Sequence, residues 1–154
     1  MKTPTSGYDR LADAVCLLCL VGTGLFLAAG WQAIPGQIPG HYNAAGEVDR
    51  MTGKGSLIFL LVLAWMLFLG LSLLERFPQV WNAGMTAAKE KEAGVYRVLK
   101  TMLKTVKLLL VLLFCALIVM SSRGLALPPT LLPAFLLLLI GNFAAAGVRL
   151  FRTR

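Results

Sequence analysis

Ile34–Lys54 reads IPGQIPGHYNAAGEVDRMTGK. It is a polar island, rich in Gly and Pro, set between two long apolar runs. Pro35 and Pro39 lack a backbone N–H and stop a helix. Asn43-Ala44-Ala45-Gly46 has the composition of a tight reversal. The island also holds the chain's one histidine, His41, with Glu47 and Asp49 close by. It reads as a folded cap with little regular structure, lying over one end of whatever the flanking runs build.

Those runs define the class of protein. The chain has 154 residues, of which 58% are hydrophobic and 14% charged. An average soluble domain carries roughly 25% charged residues. Mean hydropathy is +0.77. Such a chain lacks the polar groups to cover a surface in water, so it belongs in a bilayer. Four segments are long enough to span: about 11–34, 56–74, 103–122 and 131–148. The fourth follows Pro128 and Pro129 and carries Pro133 in its first turn, where a missing N–H costs little. The expected fold is an all-α membrane protein in a single domain. It is a four-transmembrane-helix bundle with a folded extracytoplasmic loop at 35–55. A cytoplasmic connection at 75–102 includes an amphipathic helix leading into the third span. The first span starts with Lys2 and Arg10 like a signal peptide, but its apolar stretch is longer than a usual signal core. It is read as a retained span.

Charge sets the expected orientation. Net charge is +8, but the basic residues sit in short segments at span ends. That arrangement fits anionic lipid rather than nucleic acid. Lys2, Arg10, Arg76, Lys89, Lys91, Arg97, Lys100, Lys104, Lys107, Arg149, Arg152 and Arg154 fall on one side. Arg50, Lys54 and Arg123 fall on the other. Twelve against three places both termini in the cytoplasm. The island then faces outward, which in a bacterial host is the outer side of the plasma membrane.

Between the second and third spans, Phe77-Pro78 ends a helix and Asn82-Ala83-Gly84 signals a turn. Thr86 is a candidate cap for a new helix, with Glu90 and Glu92 near its positive end. Arg97, Lys100, Lys104 and Lys107 then recur at three and four residues and share one helical face. Two readings stand. The basic groups snorkel to lipid headgroups with their stems in lipid, or they form a cytoplasmic docking surface for a partner. Snorkelling is favoured. Cys16, Cys19 and Cys115 all lie in apolar runs. Although Cys16 and Cys19 have C-x-x-C spacing, they read as small apolar residues of spans, because a thiolate is disfavoured in lipid.

The island's polar side chains admit a metal site or an acid/base pair. One histidine with two acids lacks the ligand set of a zinc site, and no phosphate-binding loop, nucleophile elbow or H-E-x-x-H occurs. No cofactor, metal or catalytic residue is expected. His41 and Asn43 are expected to bond backbone groups of the island itself, with Asp49 and Lys54 as further anchors.

The island also resembles a known pattern. Ile34-Pro35, Ile38-Pro39-Gly40-His41-Tyr42-Asn43, Gly46-Glu47-Val48-Asp49-Arg50 and Lys54, directly after a first span, are similar to the signature of a bacterial membrane domain of unknown function. That domain occurs in SdpI-type immunity proteins. The resemblance covers about residues 11–75 and departs at Gly36 and Gly40. It implies that Pro39, His41, Asn43, Gly46, Asp49 and Lys54 form a ligand-binding or structural motif. Gly141-Asn142 in the fourth span resembles a pair near the end of the same proteins. The resemblance further implies sensing or immunity toward a peptide or a partner membrane protein, without enzymatic activity.

The alternative is a membrane enzyme or a transporter-associated subunit using His41 and Asp49. A transporter needs polar groups within the membrane. The spans offer Asn142, Thr23 and a few serines, which argues against an ion or proton pathway.

Overall fold

The computed structural model describes residues 5–77 and 92–153. Four helices carry the chain: α1 (Gly7–Gly30), α2 (Ser56–Leu74), α3 (Glu92–Ser122) and α4 (Leu131–Thr153). Each is long and apolar enough to cross a membrane. Two antiparallel strands, β1 (Gln37–Tyr42) and β2 (Val48–Gly53), stand between α1 and α2. The island expected to have little regular structure is thus a β-hairpin. The turn expected at 82–84 and the helix cap at Thr86 lie outside the described residues.

The helix ends follow local chemistry. α1 starts four residues before the expected span because Ser6 and Asp9 form a capping box. Ser6 Oγ accepts from the Asp9 N–H at 3.1 Å, and the Ser6 N–H donates to Asp9 Oδ2 at 2.9 Å. Two helix-terminal donors are satisfied this way. α1 stops at Gly30, before Pro35. α3 is continuous from its basic segment into its apolar one. Its 31 residues measure about 46 Å at 1.5 Å per residue, so it outreaches a hydrocarbon core of roughly 30 Å. It ends in a Schellman motif. Gly124, at φ 67°, lets Leu125 N–H reach the Met120 carbonyl and its own N–H reach that of Ser121.

The helices alternate in direction, and α3 packs against each of the other three. Seven of its buried positions form one stripe: Lys100, Lys104, Lys107, Val111, Cys115, Ile118 and Ser122. Spacing of three and four residues is the period of a helix face. α1 presents Asp9, Ala12, Cys16, Leu20, Thr23 and Leu27 at the same period. Cys16, Leu20, Ala64, Phe68, Val111 and Cys115 make one core cluster, and Leu27, Ile34, Ile38, Leu57 and Ile118 make another. In lipid, association rests on close packing rather than on expulsion of water, which favours small residues at crossings. Cys16, Ala64 and Cys115 serve that purpose, and all three cysteines are free thiols. The large exposed apolar side chains, such as Leu18, Phe59 and Leu137, point outward, as lipid-facing positions do.

The bundle has two unlike ends. The hairpin and the 123–130 loop share one. Asp9, Glu75, Lys100 and Thr153 share the other, where a Cβ on Gly94 would lie 3.6 Å from the Thr153 side chain.

Candidate functional site

The hairpin is irregular where its polar residues sit. Pro39 faces Met51 and His41 faces Arg50, so Gly40 is an extra residue on β1. His41 faces Arg50 and Tyr42 faces Val48, so Asp49 is an extra residue on β2. Bulges of this kind re-aim side chains. The β2 irregularity brings Asp49 beside the ring of His41, whose Nδ1 donates to Asp49 Oδ1 at 2.6 Å. Gly40 is required here, because a Cβ would come within 2.6 Å of Thr52 Cγ2.

The other residues singled out in the island hold the hairpin in shape and in place. Asn43 builds the turn. Its Oδ1 accepts from the N–H groups of Ala45 and Glu47 at 2.9 and 3.0 Å, and its Nδ2 donates to Glu47 Oε2 at 2.9 Å. Gly46 has φ 83°, and its carbonyl accepts from the Leu127 N–H at 2.9 Å. A Cβ there would lie 2.4 Å from the Leu127 carbonyl oxygen. Pro39 is buried, and its carbonyl accepts a hydrogen bond from Ser121 Oγ of α3. Tyr42 OH donates to the Leu125 carbonyl at 3.2 Å. Lys54 reaches back to the end of α1. Its Nζ donates to the carbonyls of Trp31 and Ile34 at 3.1 and 3.4 Å and sits 5.0 Å from the Trp31 ring centre. A cation at a helix C-terminus meets the negative end of its dipole.

His41 therefore departs from expectation: it bonds the Asp49 side chain, not the backbone of the island. Asn43 does bond that backbone, and Lys54 anchors the hairpin to α1. Seated on the 123–127 loop and on α3, the hairpin leaves its other face open. The side chains of His41 and Asp49 are 63% and 45% exposed, and Met51 and Arg50 are exposed beside them.

A second polar assembly lies at the opposite end. Lys104 and Lys107 of α3 each bridge Asp13 of α1 and Glu75, which closes α2. Lys104 pairs with Asp13 and lies 2.8 Å from Glu75. Lys107 lies 2.7 Å from both. Lys107 also donates to Ser72 Oγ at 2.9 Å and stands 5.2 Å from the centre of the Phe68 ring. One turn earlier, Lys100 pairs with Asp9 at 3.1 Å. The snorkelling reading of this basic face is overturned for Lys100, Lys104 and Lys107. All three are buried, Lys107 completely, and their ammonium groups turn to carboxylates rather than to headgroups. Arg97 stays exposed.

The physical reason is that a buried cation needs a paired anion, and α1 and α2 supply three. The sequence signal was present. Asp9 and Asp13 are four residues apart on one helix face, matching the three- and four-residue steps of the lysines. The polar inventory of the spans is accordingly larger than Asn142, Thr23 and serines. Asn142 itself donates from Nδ2 to the Met102 carbonyl at 3.1 Å, tying α4 to α3. Among the described residues, no three His, Cys, Asp or Glu side chains are grouped to hold a metal ion.

Residues 17–67 match the family model of DUF1648, a domain of unknown function. The match runs from α1 through the hairpin into α2, so it takes in all six motif residues from Pro39 to Lys54. No curated protein and no solved structure matches the chain.

Proposed function

We propose that this is a small recognition protein of the bacterial plasma membrane. Its termini lie in the cytoplasm and its hairpin outside, where it senses, or confers immunity toward, a peptide or a partner membrane protein. The observation that carries this reading is the division of labour within the hairpin. Pro39, Asn43, Gly46 and Lys54 are spent on shape and attachment. His41 and Asp49 are joined to each other and remain exposed. A polar pair on a rigid mount is pre-organised for a ligand, and the unpaired outer edge of a two-stranded sheet accepts an extended peptide. The resemblance to SdpI-type immunity proteins points the same way.

The test is a photo-crosslinking residue placed at Met51 in living cells of the source organism. An adduct with an external peptide or a membrane protein is expected, and it should weaken in His41→Ala. Adducts identical to those from a crosslinker at lipid-facing Leu69 would refute the reading.

A second reading, a membrane enzyme or transporter-associated subunit, rests on the same 2.6 Å contact. A carboxylate on Nδ1 orients an imidazole whose Nε2 is left for a ligand. In that case Asp49→Asn would abolish turnover of a substrate while leaving adduct formation intact.

A further inference from the structure

Helices α1 and α4 each pack on α3 but little on one another. A valley therefore runs along α3 between them. At the end near the chain termini, Tyr8, Thr101, Thr105, Asn142 and Arg149 line a space of about 370 Å³. Toward the hairpin end, a groove of about 280 Å³ lies between α3 and α4, and one of about 560 Å³ between α3 and α1. On α3 the lining positions Val98, Thr101, Thr105, Leu109, Leu112 and Ala116 recur at three and four residues. On α4, Leu131, Ala134, Leu138, Asn142, Ala145 and Arg149 do the same. Each set is a single helix face, so these spaces open on one valley. Helix α2 lines none of them.

The valley is too long for the lipid of one leaflet. From Val98 to Met120 at its far end is about 33 Å along α3, against a hydrocarbon core of roughly 30 Å. An acyl chain reaches half of that core, whereas a helix of about 20 residues reaches across it. The walls are also low. Gly22 of α1 lines the wider groove, and Gly141 of α4 lies between Leu138 and Ala145 on the opposite wall. A Cβ on either would meet no neighbouring atom within 4 Å. Glycine within a helix is destabilising relative to alanine, and no other element of the chain requires it at these two places. Small residues let a second helix backbone come close.

Charge names the occupant. The hydroxyls at the terminal end are spent within the chain. Thr101 donates to the Arg97 carbonyl, Thr105 to that of Thr101, and Tyr8 to Thr105 Oγ1. The Asn142 amide donates to Met102. Among the described residues no carboxylate meets the Arg149 guanidinium, whereas Asp9, Asp13 and Glu75 are all paired with lysines of α3. We propose that this valley holds one transmembrane helix of a partner protein, whose Asp or Glu, at the level of the chain termini, pairs with Arg149. Guanidinium and carboxylate make two parallel hydrogen bonds, and the pair is stronger where water is scarce. A second copy of this chain has no spare acid at that level among the described residues. The valley lies away from the hairpin, and the proposal does not rest on the reading of His41 and Asp49.

The test uses the full chain in phosphatidylcholine vesicles. A photo-crosslinking residue replaces Leu112 on the valley floor or Met66 on the exposed face of α2. The probe is a synthetic single-span helix of leucine and alanine with one glutamate near an end, or glutamine in its place. The glutamate probe should form an adduct from Leu112 and not from Met66, about fivefold or more above the glutamine probe. Arg149→Gln should remove that preference, and Arg76→Gln, outside the valley, should keep it. Gly141→Leu should melt no lower than the unaltered chain and lose most of the adduct. Equal adducts from Leu112 and Met66 overturn the proposal, and so does equal reaction of the two probes. An equal loss in both arginine variants would show general surface attraction and overturns it too. So do adducts at Leu112 that hold only lipid or a second copy of the chain. Should Arg149→Gln not fold, Gly141→Leu decides with Arg149 in place. An unchanged adduct there, or a lower melting temperature, shows that no helix enters along that wall.

Discussion

Lys107 Nζ on α3 lies 2.7 Å from Oε1 of Glu75, the residue at which α2 ends. The same ammonium lies 2.7 Å from Asp13 of α1, and Lys104 makes the same pair of partners from one turn away. Two cations and two anions thus join three helices in a closed set. Its members neutralise one another, and Ser72 adds a neutral acceptor. Such a set is stable as a whole and vulnerable in its parts. Removing one partner leaves an uncompensated buried charge, which typically costs about 3–5 kcal/mol.

Glu75→Ala is therefore expected to lower stability in detergent by about 3–5 kcal/mol. Replacing all four members with apolar or neutral residues of similar size should cost much less than the sum of the single changes. Thermal melts of the single and fourfold variants decide the matter. A neutral Glu75→Ala would show that the cluster does not hold the bundle.

The hairpin's attachment gives a second expectation. Gly46→Ala combines a left-handed backbone with a Cβ 2.4 Å from the Leu127 carbonyl oxygen. Gly124→Ala meets the backbone penalty alone, because its Cβ would enter open space. The left-handed conformation costs an L-residue about 1–2 kcal/mol. Gly124→Ala should lose about that much, and Gly46→Ala distinctly more. Gly46→Ala should also raise amide exchange at Gly46 and Leu127. Equal melting of the two variants would show that the hairpin is not seated on this loop.

Asn43 and His41 separate shape from exposure. Asn43→Ala removes three hydrogen bonds of the turn, each worth about 0.5–1.5 kcal/mol, so it should destabilise measurably. His41→Ala breaks an exposed pair, and such pairs contribute about 0–1 kcal/mol. Its melting curve should stay close to that of the unaltered protein. The reverse order would make His41, not Asn43, the structural residue.

Orientation can be read directly. A reporter fused after Arg154 should be cytoplasmic. A single cysteine at Ala45, with the three native cysteines replaced, should react with an impermeant reagent added outside cells. The pairing of Lys100, Lys104 and Lys107 with acids does not weaken this expectation. Orientation follows Lys and Arg number near the spans rather than net charge. Without those three, nine basic residues still stand against three. Labelling of Ala45→Cys only after lysis would reverse the topology.

The sequence by itself determined four apolar helices, the break between the first two, and which polar residues that break would use. Hydropathy over some twenty residues is a local property, and so is a Pro- and Gly-rich interruption. Asn43 as turn-builder was legible for the same reason, since its partners lie within four residues. Only the tertiary structure decided the rest. The hairpin register depends on two bulges, and its seat depends on Leu125 and Leu127, more than eighty residues from Tyr42 and Gly46. The direction in which the α3 lysines turn depends on Asp13, 91 residues away from Lys104. A basic helix face beside a membrane is outward-facing or buried according to whether acids meet it. The matching spacings of Asp9 and Asp13 and of the lysines permit the pairing, but they do not fix it, because an ion pair forms only once packing has brought distant helices together.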